Sequence, residues 1–170
     1  MIEGLPKQLR MKMSTYAYEK RYSTLKFFKG RSVQFITWIC PLMKPNYYEH
    51  FAYLFHNGDD IKEMYFLTKG LVQMVIPKFD NVCYIEINPS NHFGLIDFVG
   101  SARKYKFDYE CWNDNQAKLF RMFTVRARKE CEVLYLNLPD LEMMKYEFES
   151  DFLDIFSSIN ERYNNVDALK

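Results

Sequence analysis

His92-Phe93-Gly94-Leu95-Ile96-Asp97-Phe98 follows a cluster of turn formers, Asn88, Pro89, Ser90 and Asn91. Five of its seven residues are apolar or glycine, yet the run is too short for a helix that packs by itself. Gly94 lets backbone come close to whatever lies opposite, because it carries no Cβ. The stretch is either a tight turn feeding a core strand or a glycine-opened helix start whose N–H groups face an anion. Its flanks separate the two.

Upstream, residues 47–55 are rich in β-formers and end in the turn signal His56-Asn57-Gly58-Asp59-Asp60. Strands are predicted over 63–67, 71–76 and 82–87, with turns at Lys69-Gly70 and 77–81. Downstream, a polar mixed segment over about 100–118 precedes strands at 119–127 and 132–136. Short strands with turn signals every ~8–12 residues argue for an antiparallel sandwich or barrel.

Helices flank this β region. Leu5-Pro6 opens the first, with Leu9, Met13 and Tyr16 on one face. Leu25, Phe27 and Phe28 form an apolar clip before Gly30, and Ser32 is placed to cap a helix carrying Phe35, Ile36, Ile39, Leu42 and Met43 that Pro45 ends. At the other end Pro139 opens a short helix with Leu141, Met144 and Phe148. Ser150 or Asp151 starts another, in which Phe152, Ile155, Phe156, Ile159, Tyr163 and Val166 make one apolar stripe. The chain thus divides into a helical linker (1–45), a β region (46–137) with its insert, and C-terminal helices (138–170).

Apolar residues make up 48% and aromatic residues 18% of the 170, enough for a real core and too many for a disordered chain. Lys plus Arg number 23 against 22 Asp plus Glu, so no net field draws the chain to nucleic acid or anionic lipid. The longest apolar run, 35–43, contains Pro41 and falls short of the ~18 residues that a membrane span needs. Residues 1–10 have no signal-peptide core. Cys40, Cys83, Cys111 and Cys131 are widely spaced without a CxxC and read as reduced thiols of a cytosolic domain.

Several of these pieces, in this order, resemble the cyclic nucleotide-binding domain of ion channels. Gly58-Asp59, then Glu63-Met64-Tyr65-Phe66-Leu67, then Lys69-Gly70 and Val72 are similar to that family's first hairpins. His92-Phe93-Gly94 resembles the start of its phosphate-binding cassette. Arg121-Met122-Phe123-Thr124-Val125-Arg126-Ala127 resembles the strand that closes it. Leu5-Pro6, Leu9-Arg10 and Phe27-Phe28 resemble the linker to the last pore helix of a voltage-gated potassium or cyclic nucleotide-gated channel. The likeness covers nearly the whole chain, with the domain proper at 25–170.

The resemblance implies an α+β fold, a jelly-roll-like antiparallel β-roll of the cyclic nucleotide-binding type flanked by N- and C-terminal helices. It implies phosphate and ribose contacts at Phe93, Gly94, Leu95, Ile96, Asp97, Arg121, Met122 and Thr124. It places the base among Val72, Met74, Ile159, Arg162 and Tyr163, under the last helix as a lid. The ligand would be cAMP or cGMP, with no tightly bound cofactor. The partners would be a transmembrane pore and the other subunits of a tetrameric channel, at the cytoplasmic face of a membrane.

Three departures from the family pattern stand out. Leu95 occupies the position of the ribose-binding glutamate and cannot accept a hydrogen bond. Met122 and Phe123 are bulkier than the usual small pair. The insert lengthens the cassette, and its Lys104, Tyr105, Lys106 and Trp112 are expected to fill or reshape the pocket. Loss of one ribose contact costs about 1–3 kcal/mol, one to two decades in affinity.

The plainer alternatives are specific too. With the site empty, Arg121 needs another anion, and Asp97 or a glutamate is the obvious one, since an unpaired buried charge is costly. His50, His56 and His92 lack the HxH pair of a cupin metal site. No nucleophile elbow, phosphate-binding P-loop or paired-carboxylate signature is present, so no catalysis is expected. The expected function is a channel regulatory domain that couples nucleotide occupancy to gating. The alternatives are a nucleotide-free homology domain, joining subunits or liganded by its own tail, and a soluble nucleotide sensor.

Overall fold

The computed structural model describes residues 6–9, 24–98 and 119–169. Met13, Tyr16, Cys111 and the expected insert lie outside the described residues, as does the side chain of Val166.

Two antiparallel four-stranded sheets share one core. The first runs β1 (Lys44–Tyr48), β8 (Cys131–Asn137), β3 (Glu63–Lys69), β6 (His92–Phe93). The second runs β2 (Tyr53–Phe55), β7 (Thr124–Ala127), β4 (Val72–Ile76), β5 (Val82–Ile87). With the helices this is the expected α+β fold of β-roll type, and among the described residues the sheets do not close into a barrel.

Two expected strands are broken. The run over 47–55 divides between the sheets, β1 pairing with β8 and β2 with β7. Phe51 makes the corner at φ 67°, its N–H donating to Ala127 O at 2.9 Å. β-forming composition does not say which sheet a residue joins; the corner does. The run over 119–127 begins as a single bridge, Phe120 to Asp60, and becomes a strand only at Thr124. Between them the N–H groups of Met122 and Phe123 donate to the Asp97 carboxylate instead of to a neighbouring strand.

Ser32 caps helix α1 (Val33–Ile39) as expected, its Oγ accepting from Phe35 N–H at 3.1 Å. The helix is shorter than expected. Pro41 tightens the chain into a 3-10 turn, Cys40–Leu42, and β1 then starts at Lys44. Pro45 sits within that strand rather than after a helix, which an edge strand tolerates.

Helix α2 (Leu138–Glu147) carries Pro139 in its first turn. Helix α3 (Glu149–Leu169) buries Phe152, Ile155, Phe156, Ile159 and Tyr163, the expected stripe. The N-terminal clip packs edge-on, Phe27 lying 4.9 Å from the Phe66 ring on β3. Arg31 joins it to α3 through Asp151 at 3.1 Å and Asp154 at 2.8 Å. Among the described residues no helix is long and apolar enough to cross a membrane.

Candidate ligand-binding site

Arg121 lies between the Phe120 bridge and β7, tied into the turn before β3. Its N–H donates to Asp59 O, and its carbonyl accepts from Gly58 N–H, both at 2.7 Å. This directs the guanidinium inward, where it is 1% exposed. Nη1 donates to Gly94 O at 2.6 Å and to Asp97 Oδ2 at 3.2 Å; Nη2 donates to Glu63 O at 2.5 Å. The guanidinium carbon sits 3.9 Å over the Phe55 ring. Among the described residues Nε has no hydrogen-bond partner.

Gly94 makes this approach possible. At φ 97° a Cβ there would lie 3.1 Å from Nη1 of Arg121. The group opposite Gly94 is therefore this chain's own arginine.

Asp97 completes the knot. Oδ1 accepts from Met122 N–H at 2.7 Å and Phe123 N–H at 3.0 Å, and Oδ2 accepts from Arg121. All three described contacts are donors, which suits the ionised, acceptor-only carboxylate. Burial pushes the carboxyl above its ordinary value, against the pull of Arg121 and the two N–H groups. The anion on Arg121 is thus Asp97. The Glu63 carboxylate is engaged by the Tyr65 hydroxyl, which donates to it, and burial followed by that bond raises the phenol's pKa.

Beside this knot lies a cavity of about 340 Å³ between the second sheet and α3, within the ~300–1,000 Å³ of ordinary ligand pockets. Phe93, Gly94, Leu95, Ile96 and Asp97 line one side and Met74 another, with Ile159 and Arg162 on the α3 side. Eight of the thirteen expected residues therefore meet at one cavity. Val72 is buried in β4, Tyr163 is buried on the inner face of α3, and Arg121 is turned into its own knot. Met122 and Thr124 line a second cavity of about 530 Å³ with Lys78 and Tyr84. The Thr124 hydroxyl accepts from Asn57 N–H at 3.0 Å, so it serves the preceding turn.

Sequence reasoning left out Glu86, Asn88, Asn91 and Asn165, and it quoted His92 without a role; all five line the first cavity. Asn88 and Asn91 were visible as turn formers, but nothing local marked their turn as a cavity rim. His92 packs 5.5 Å from the Phe27 ring, and its Nε2 lies 3.4 Å from Arg162 Nη1. Burial first, then the charges of Arg162 and Arg31, pull its pKa down to about 3. The neutral ring therefore accepts from Arg162.

The three histidines have separate neighbours. His50 stacks 3.8 Å from the Phe51 ring and His56 lies 3.8 Å from Asp59. Among the described residues no group of three or more His, Cys, Asp or Glu could hold a metal ion.

No family model matches the chain. The chain is similar over its whole length to the potassium channel GORK of Arabidopsis thaliana, with 22% identity over 172 aligned residues. The match takes in 100% of this chain and 19% of that channel, so the chain spans about a fifth of its relative's length.

Proposed function

We propose that this chain is the regulatory domain of a potassium-channel-like protein, lying on the cytoplasmic side of the pore, and that it works without a cyclic nucleotide on Arg121. Whole-length similarity to a potassium channel and the β-roll with a covering helix support the first part. The pairing of a 1% exposed Arg121 with Asp97 carries the second. A phosphate would have to draw the guanidinium away from a carboxylate, two carbonyls and the Phe55 face. Breaking a buried pair costs about 3–5 kcal/mol, a penalty of roughly two to four decades on affinity. Leu95, 2% exposed, offers a ribose no acceptor.

The domain then acts through its helices and its neighbours in a channel tetramer. Arg31, bound to Asp151 and Asp154, links the segment leading toward the pore with α3. A second reading, that cAMP or cGMP enters and moves α3, is favoured by one feature: Gly94 to Asp97 line the cavity under that helix.

Calorimetric titration of the purified chain with cAMP and with cGMP separates the two. No heat up to millimolar nucleotide is expected, and a saturable signal from either would establish the second reading instead. The channel assignment is checked by recording: the whole protein in oocytes should carry a potassium current whose gating shifts when this region is deleted.

A further inference from the structure

We infer that the cavity beneath α3 is a binding site for a small aromatic monoanion that is not a nucleotide, a flat two-ring body with one carboxylate at the mouth. The inference rests on the nucleotide-free reading above. Its deep wall is a ladder of apolar side chains across three strands, with Val125 paired to Met74 and Met74 to Ile85. Phe55 and Ile159 add to it. The polar atoms at the floor are already used: Gly94 O accepts from Arg121, and the Asp97 oxygens accept from Arg121, Met122 and Phe123. These are acceptors, which offer a phosphate nothing, whereas an aromatic ring needs no polar partner there. Dry apolar cavities of about 150 Å³ already bind benzene, so about 340 Å³ accommodates a larger ring system.

The mouth supplies one positive charge. Arg162 lines the cavity, and its described contact is the neutral His92 ring at 3.4 Å. The nearby carboxylates have other partners: Asp97 holds Arg121, Glu86 accepts from Gln73 at 3.3 Å, and Asp151 and Asp154 hold Arg31. Among the described residues Arg162 has no ion pair. A carboxylate on a ring seated against Met74 and Ile85 would satisfy it.

Ligand-observed NMR titration of the full chain with 2-naphthoate, and with neutral 2-naphthalenemethanol as the size-matched control, tests this. Saturable naphthoate binding about tenfold tighter than the alcohol is expected, the size of one charge-assisted contact. Arg162→Gln should bring naphthoate to the alcohol's level and leave the alcohol unmoved. Ile85→Trp, on the edge strand β5, should fill the cavity and abolish both. Intermolecular NOEs from the naphthoate ring to the Met74 methyl locate the ligand even if that variant melts early. Absence of saturation to millimolar naphthoate, equal affinity for both compounds, or missing Met74 NOEs would overturn the inference. Its failure would leave both nucleotide titrations flat, whereas failure of the nucleotide-free reading would show as nucleotide heat.

Discussion

At the scale of single residues, Arg121 sets the terms. It is a buried cation with a carboxylate, two carbonyls and an aromatic face around it. Arg121→Ala is expected to cost about 3–5 kcal/mol in urea unfolding, because Asp97 is left buried without its cation. Arg121→Lys should recover little of this, since an ammonium lacks the planar fork that reaches Gly94 O and Glu63 O together. His92 gives a pH signature. Its folded pKa, about 3, lies below the ordinary 6.5, so on acidification the unfolded chain takes up the proton first. Stability is unaffected above that ordinary value and falls as pH drops through the window toward about 3, by at most about 1.4 kcal/mol per pH unit. The urea midpoint of His92→Gln should therefore decline less than the parent's between about pH 7 and 5, where carboxylates contribute little. Parallel slopes would remove His92 from the account.

At the scale of elements, the Arg31 clamp and the β3–β4 turn are the testable joints. The Arg31 and Asp151 side chains are 16% and 22% exposed, whereas Asp154 is 69% exposed. A double-mutant cycle should give about 1 kcal/mol for Arg31 with Asp151 and close to zero for Arg31 with Asp154, because solvent screens the second pair. Amide exchange over α3 should speed up in Arg31→Ala if the clamp holds that helix down. Gly70 closes the β3–β4 turn at φ 102°, and a Cβ there would lie 2.4 Å from Glu130 O. Gly70→Ala should cost about 2–3 kcal/mol, combining strain at positive φ with a backbone clash. Thermal unfolding against Gly58→Ala, where a Cβ meets nothing within 4 Å, isolates the clash.

At the scale of the whole molecule, helix α3 roofs both the core and the cavity, so stability and access to that cavity share one element. Phe156, fully buried and 4.4 Å from the Phe152 ring, is central to that roof. Phe156→Ala is expected to lose about 3–5 kcal/mol. Much of the architecture was legible without coordinates. The β-former runs over 63–67, 71–76 and 82–87, bounded by turn signals, and the apolar stripe of α3 all recur in the structure, because turn residues and a helical repeat are recorded in local sequence. The resemblance grouped Gly94 to Asp97 with Met74, Ile159 and Arg162 as ligand contacts, and the structure places these residues along one cavity. What local sequence does not carry is how distant pieces meet. The division of 47–55 between two sheets depends on a corner at Phe51, and the interruption before Thr124 depends on a carboxylate some two dozen residues away. The glycine next to Leu95 announced a close approach but not its partner. By itself the sequence determined most of the strands and helices and a cation that needed an anion, Asp97 or a glutamate. Only the tertiary structure decided that the anion is Asp97, because long-range pairing in a dry interior depends on which charges the fold buries side by side.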